Sequence, residues 1–238
     1  MGISVVLLAY QEEENLKMLL PQIIENVKKT GEPYEILVVD TAKPTDHTKD
    51  VCKYYGAKYI NQEWPSFGGA FRTGIKYAAM DKFLILDSDG SHPPEKIPEI
   101  YQKFVTGGYD VVIGSRYVEG GVTDDAKSSV VMSAILNTAF RICLGLKAKD
   151  LSTDYRMYHT AALKKVKLTC VNYDVLEEVL LKLKLNKPKG QFTIGEVPIT
   201  FHKRVYGESK RRLLPFIMSY IKTLVKLTGM RIFGKRAK

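Results

Sequence analysis

Runs of apolar, β-branched residues alternate with segments of helical spacing through the first half of the chain. Ile3 to Ala9 is continuous enough for a strand buried on both faces. Glu12 to Lys29 follows with Leu16, Leu19, Leu20, Ile23, Ile24 and Val27 at helical intervals. Glu35 to Asp40 predicts the next strand and Thr45 to Tyr55 the next helix, capped by Asp46 or Thr45. A short strand (Ala57 to Ile60) precedes a helix rich in small residues (Gly68 to Met80). Lys82 to Asp87, Glu95 to Val105 and Asp110 to Gly114 continue as strand, helix and strand. Such alternation predicts an α/β fold, a mostly parallel sheet with helices on both faces.

Past residue 120 the rhythm changes. Ser128 to Leu146 predicts a helix with Val131, Ile135, Leu136, Ala139, Ile142 and Cys143 on its apolar side. Asp150 to Arg156 is polar and reads as a loop, Val175 to Leu185 as a helix, and Thr193 to Phe201 as a strand. A basic segment and then a mostly apolar tail, Leu213 to Phe233, follow. Ser219, Lys222, Lys226 and Gly229 recur along one face of that tail. Each central Lys costs roughly 2.5–3.5 kcal/mol in a spanning helix. The tail is therefore expected to lie in a membrane interface, with Lys222, Lys226, Arg231, Lys235 and Arg236 towards anionic headgroups. Packing on the chain's own core or on a partner subunit is the alternative. The expected division is a catalytic domain, 1–211, and a basic amphipathic tail, 212–238.

In a parallel sheet, ligands bind outside the carboxyl ends of the strands. Tyr10, Asp40, Asp87 with Asp89, and Ser115 with Arg116 all stand at such ends. Asp87-Ser88-Asp89 directly follows the apolar run Phe83 to Leu86. Two carboxylates there read either as a site for a hard divalent cation shared with a diphosphate or as a strand-ending turn. The net charge of +10 points to an anionic partner: nucleic acid, a membrane surface or a phosphorylated substrate. Nucleic acid is disfavoured, because the aromatics do not interleave with a basic stripe and the cations concentrate beside the apolar tail. Three scattered cysteines, Cys52, Cys143 and Cys170, fit neither a disulfide framework nor a zinc site and suit a reducing compartment. No basic-then-apolar opening marks a signal peptide, and Val6 stands where a myristoylation signal wants a hydroxyl.

Several of these stretches resemble motifs of the family 2 glycosyltransferases, in particular their polyprenyl-phosphate branch, that of the dolichyl-phosphate mannose synthases. Val5 to Leu16 resembles V-V-x-P-x-Y-N-E-x-x-N-L, Val39-Asp40 the start of V-D-D, and Leu86 to Glu95 the metal loop D-A-D-x-[QS]-H-x-P. Gly68, Ala70 and Gly74 match positions of the following helix, and Gly114 to Tyr117 matches G-[ST]-R-Y. Ile194 to Phe201 with Arg204 to Lys210 is the most specific stretch. The chain departs from the pattern at Leu8 for Pro, Gln11 for Asn, Thr41 for the second Asp, and Thr153-Asp154 for Ser-Gly. Ser129 stands where an Arg precedes the S-x-x-x-N kept as Ser133 to Asn137, with Lys127 nearby. The Q-x-x-R-W motif of processive synthases is absent, which favours transfer of a single sugar.

The resemblance implies a GT-A-type fold with a Rossmann-like nucleotide-binding half, and an inverting transfer of one hexose from a nucleotide sugar to dolichyl or another polyprenyl phosphate. GDP-mannose is the first-choice donor; UDP-glucose or a UDP-N-acetylhexosamine is the alternative, raised by Thr41 and Thr153-Asp154. It implies Mg²⁺ or Mn²⁺ on Asp87, Asp89 and Ser91, catalytic roles for Asp87, Asp89 and Arg116, and nucleotide contacts from Ala9, Tyr10, Glu12, Asp40 and Ser88. Asp40 reads equally as a strand-end cap, and Glu12 as a residue favoured by the helix dipole. A phosphate monoester, with a second pKa of roughly 6, attacks without a general base. It requires cationic positioning, for which Arg116, Arg204 and Lys210, together with Ser133, are the candidates. His92 reads as a structural turn residue. The expected location is peripheral, on the cytoplasmic face of a membrane, with room for a membrane-anchoring partner subunit. A sugar nucleotidyltransferase would carry a Gly-rich phosphate loop with Lys near the first strand, where this chain has Leu8-Ala9-Tyr10-Gln11-Glu12.

Overall fold

The computed structural model describes residues 1–206 and 213–233. The strands are β1 (Ile3–Leu8), β2 (Tyr34–Asp40), β3 (Lys58–Asn61), β4 (Lys82–Asp87), β5 (Val111–Ser115), β6 (Val122–Thr123), β7 (Arg156–His159), β8 (Ile194–Pro198) and β9 (Thr200–Phe201). The helices are α1 (Glu13–Lys28), α2 (Thr48–Tyr55), α3 (Ser66–Tyr77), α4 (Ile97–Gly107), α5 (Lys127–Leu144), α6 (Thr160–Lys164), α7 (Val175–Leu185) and α8 (Leu213–Ile232).

Seven strands form one sheet in the order β3-β2-β1-β4-β7-β5-β8, and β6 pairs with β9 apart from it. All neighbours in the large sheet are parallel except β7, which runs antiparallel between β4 and β5. The expected mostly parallel sheet is therefore present. Side-chain alternation divides the core in two. Ile3, Val5 and Leu7 of β1 face the apolar stripes of α1, α2 and α4, while Val6 faces the side covered by α3, α5, α7 and α8. Gly74 of α3 lies so close to the sheet that a Cβ there would stand 2.7 Å from the Val6 side chain.

Several elements depart from the sequence expectation. Residues 45–47 are not helical; the Asp46 carboxylate instead accepts the N–H groups of Thr48 and Glu13, tying α2 to α1. Helix α3 begins at Ser66 rather than Gly68. The polar stretch 150–156 is a loop only as far as Tyr155, and β7 and α6 follow where no element was expected. β7 is too short for a period-2 signal, and its Arg156 is fully buried. β8 ends at Pro198, which has no N–H to carry the ladder on, and Ile199 separates it from β9.

Helix α5 is rotated from its expected orientation: of the expected apolar side, Leu136 packs against the core and Ala139 and Cys143 are half-buried. Val131, Ile135 and Ile142 are 59%, 59% and 68% exposed, while Asn137, Phe140 and Leu144 point inward. Asn137 is buried because its amide is used: Oδ1 accepts Leu151 N–H at 2.8 Å. The expected junction at 211/212 lies outside the described residues. Beyond it, α8 packs on α5 and α7 through Tyr220, Thr223 and Leu227, with the Tyr220 ring 5.8 Å from Phe140. Its other face leaves Ile221, Val225 and Ile232 exposed beside Lys222, with Phe233 just beyond. Lys226 and Arg231 turn back to the protein rather than outward: Lys226 Nζ donates to Thr169 Oγ1, and Arg231 Nη1 to the Ile142 and Cys143 carbonyls at the end of α5. Lys235 and Arg236 lie outside the described residues. Among the described residues no helix is long and apolar enough to cross a membrane.

One buried acid in α7 carries a pH signature. Burial pushes the Glu177 carboxyl up to about 8 despite the nearby Arg156 charge, and among the described residues its Oε2 has no hydrogen-bond partner. The folded state then holds this proton more tightly than the unfolded chain. Ionisation destabilises the fold progressively between roughly pH 4.5 and 8, by about 3 kcal/mol at pH 7. Glu177→Gln, which keeps the neutral shape, is expected to melt close to wild type at pH 5 and well above it at pH 8. A difference in melting temperature that stays constant across that range would refute the assignment.

Candidate active site

Strands β1, β2, β4 and β5 run in one direction and end on one edge, where the loops that follow them meet. Ser88 fastens two of these ends together by donating its Oγ–H to Leu8 O at 2.7 Å. Ala9 is held by its N–H on Val39 O. Tyr10 is half exposed on this edge, and Gln11 beside it adopts φ 59°. Asp40 is buried and engaged, Oδ1 by Thr41 N–H (2.7 Å) and Oδ2 by the Tyr59 hydroxyl (2.9 Å). Of its two readings the geometry favours the cap.

The acidic cluster sits at the end of β4. Ser91 donates its N–H to Asp89 Oδ1 at 3.0 Å, and its hydroxyl also bonds to that carboxylate. Burial pushes Asp89 up, but the two Ser91 hydrogen bonds and the Arg204 charge outweigh it and hold the carboxyl below the ordinary range. Asp154, from the loop before β7, lies against Asp87. Burial and then the Asp87 charge push Asp154 up to about 7. Asp87, His92 and Asp154 place their potential ligand atoms within 4.8 Å of one another.

His92 is not available as a ligand. Its Nδ1 accepts the Asp87 backbone N–H at 3.0 Å, which fixes the hydrogen on Nε2, and that nitrogen donates to Thr153 Oγ1 at 3.0 Å. Burial also depresses its pKa, so the ring stays neutral and braces the loop. The remaining donor set is carboxylate oxygen, the chemistry Mg²⁺ and Mn²⁺ take. Crowding of Asp87 against a buried second carboxyl is relieved when a divalent charge lies between them. These residues therefore fit such an ion. The sequence reading placed Ser91 in this set and not Asp154, which it noted only as a departure from Gly.

Arg116 is anchored by a residue that sequence reasoning did not single out. Asp150, fully buried, accepts from Arg116 Nε (2.8 Å), Nη2 (2.9 Å) and the backbone N–H (3.1 Å), and Ser152 Oγ accepts from Nη2 at 2.7 Å. Arg116 Nη1 lies 3.7 Å from Asp125. The guanidinium lies 5.1 Å from the ring centres of both Tyr117 and Phe201, and Ser133 hydrogen-bonds to Tyr117. Ser133 thus stands on the Arg116 side of the cleft.

Arg204 stands on the other side. Its Nε and Nη2 reach Asp89 Oδ2 at 3.1 and 3.0 Å, and its Nη1 reaches Glu12 Oε1 at 3.2 Å. Glu12 Oε2 in turn accepts from Asn15 Nδ2. Lys210 lies outside the described residues. Asp150, Asn15 and Asp154 each touch a residue the sequence did predict; Asn15 stood in the opening motif and Asp154 as a departure, while Asp150 carried no signal.

The fold is shared with glucosyl-3-phosphoglycerate synthase from Mycobacterium tuberculosis, solved with Mn²⁺, UDP and glucosyl-3-phosphoglycerate (TM-score 0.71, 20% identity, 96% of this chain and 80% of that one) and with Mg²⁺ and UDP (TM-score 0.72, 21% identity, 96% and 79%). In sequence, the chain is 31% identical to the dolichol-phosphate mannosyltransferase of Pyrococcus furiosus over 88% of its length, and spans 59% of that protein. It is 31% identical to the polyprenol monophosphomannose synthase of Mycolicibacterium smegmatis (87% of this chain, 79% of that one). The undecaprenyl-phosphate mannosyltransferase of Micrococcus luteus is also 31% identical (88% and 87%). The model of Glycosyl transferase family 2 matches residues 4–167. With that match added to the likeness along most of its length, this chain belongs to glycosyl transferase family 2.

Proposed function

We propose that this protein transfers a single mannose from GDP-mannose to a polyprenyl phosphate with inversion, using Mg²⁺ or Mn²⁺, at the cytoplasmic face of a membrane. The observation that carries the reading is the crowded carboxylate pair Asp87 and Asp154, with Asp89 two residues on held by a guanidinium from the 202–206 segment, while His92 beside the pair has both ring nitrogens engaged. A transferase onto a hydroxyl needs a base within hydrogen-bond reach; one onto a phosphate needs cations. The relatives' names supply the sugar and the prenyl phosphate.

Asp87 and Asp89, with Asp154 or Ser91 beside them, would hold the divalent ion, whose charge would offset that of the departing diphosphate. Tyr10, Glu12 and the β1 end position the nucleotide. Arg116 presents Nη1 and Arg204 its fork to the acceptor phosphate, whose oxygen forms the new bond to the anomeric carbon from the face opposite the breaking bond. A UDP-sugar donor is the second reading, favoured by Thr41 in place of an acid and by Asp154 in place of Gly. The direct test is a panel of GDP- and UDP-sugars with a short polyprenyl phosphate, scored with and without Mn²⁺. Mannolipid formed only from GDP-mannose and only with the ion bears the proposal out; transfer to water or to free sugars alone overturns it.

We assign 1–211 to catalysis and 212–238 to membrane contact. The outward face of α8 supports this, since Ile221, Val225 and Ile232 leave large apolar side chains in water beside Lys222; α5, packed beside α8 but within 1–211, adds Val131, Ile135 and Ile142 to the same proposed contact. Val131→Ser with Ile135→Ser is expected to weaken flotation with anionic liposomes about tenfold or more, at about 0.8 kcal/mol per buried methylene, while leaving the melting temperature unchanged. Equal flotation would rule this face out.

A further inference from the structure

After β9 the chain turns back across the cleft. His202 donates its N–H to Ser91 O at 2.9 Å and Val205 its N–H to Asp89 O at 3.3 Å. Asn15, buried in the first turn of α1, takes the Tyr206 N–H on Oδ1 (3.2 Å) and gives Nδ2–H to the Tyr206 carbonyl (3.3 Å). Residues 202–206 are thereby strapped onto the metal loop on one side and onto α1 on the other. Arg204 lies between these fastenings, with one guanidinium spanning Asp89 and Glu12.

Charge makes this position informative. Asp89 and Glu12 have side chains only 14% and 6% exposed. Buried acids of this kind need a nearby cation. Arg204 supplies one from a side chain that is itself 29% exposed and open to water on one side. A divalent ion on Asp89 would face the guanidinium across a few ångströms, where like charges repel strongly in a partly desolvated cleft.

We infer that Arg204 is a stand-in cation. It neutralises the donor-site carboxylates while no ion and nucleotide are bound, gives way when they enter, and in giving way becomes the donor that grips the acceptor phosphate. Asn15 is the positioning residue: it holds the strap by main-chain hydrogen bonds, so Arg204 swings from a fixed base. The inference rests on the proposed role of Asp89 as a metal ligand. It makes ion binding compete with one ion pair, and makes anion binding at Arg204 depend on prior loading of the donor site.

The test is a Mn²⁺ titration followed by the electron paramagnetic resonance of the free ion, with GDP or UDP present and no acceptor. Wild type is compared with Arg204→Gln, and unfolding curves serve as the folding control. The variant is expected to bind Mn²⁺ about fivefold more tightly or better, the lower end of typical coupling between sites. Unchanged or weaker binding by a folded variant, with wild type binding normally, overturns the inference alone. No Mn²⁺ binding by either protein overturns the assigned metal site and the inference with it. A second measurement needs only wild type: binding of farnesyl phosphate with and without Mn²⁺ and nucleotide. Binding that requires both agrees with the inference, and equal binding in their absence refutes it.

Discussion

Asp89→Ala is expected to lower the transfer rate by about 10²- to 10³-fold, the range seen when one preorganised group facing developing charge is removed. The carboxylate lies at the end of β4 with both oxygens committed, Oδ1 to the Ser91 N–H and Oδ2 to Arg204. In the proposed reaction that negative charge keeps the ion on the leaving diphosphate. Asparagine at this position preserves shape but not charge, so Asp89→Asn is expected to fail nearly as badly. The fold does not depend on this side chain, because β4 is held in the sheet by β1 and β7. Circular dichroism should therefore be unchanged and the melting temperature within a few degrees of wild type. Since Ser91 and Arg204 keep Asp89 ionised below the ordinary carboxylate range, its deprotonation should not limit the rate anywhere near neutral pH. Retention of a tenth of the wild-type rate in Asp89→Ala would remove this residue from the mechanism.

The largest effect on stability is expected at Arg156→Met. The guanidinium is fully buried and donates to the carbonyls of Thr153 (2.7 Å), Leu151 (2.7 Å) and Leu176 (2.8 Å) and to the Tyr158 hydroxyl (3.2 Å). Methionine fills much of the volume but takes the guanidinium donors away from the Thr153 and Leu151 carbonyls, while Leu176 O keeps its place in the α7 ladder. Each such group costs about 1–3 kcal/mol, and breaking a buried charged network costs about 3–5 kcal/mol in all. For a chain of this size that corresponds to a fall in melting temperature of roughly 10 °C. Arg156→Lys is expected to recover little, since a single ammonium cannot reach acceptors spread around a planar fork. The same bonds shape the loop carrying Asp150, Thr153 and Asp154, so the partners of Arg116, His92 and Asp87 loosen together. A urea unfolding midpoint equal to wild type would show that the loop is held by other means.

Much of this was legible along the chain. Period-2 and helical spacings register which face of an element is apolar, and the alternation of such segments predicts a parallel sheet. The strand ends then mark one edge, which is why the sequence alone places Tyr10, Asp40, Asp87 and Arg116 together. The motifs around Asp87 to Glu95 and Ile194 to Lys210 carried the family. Helix α5 shows where this reasoning stops. Its apolar stripe was legible, but the burial of Asn137 in place of Ile135 depends on Leu151 and Ser152, which reach it only through the fold.

By itself, then, the sequence determined the α/β alternation, the sheet edge that carries chemistry, and the family, because each of these is written in short-range spacing and local motifs. Tertiary structure alone decided that Asp150 grips Arg116, that Asp154 crowds Asp87, that β7 slips between β4 and β5, and that Arg204 lies on an acid 115 residues away. These are pairings between segments brought together by chain crossings, and the energy that fixes them is the desolvation of buried charge, which no local pattern encodes.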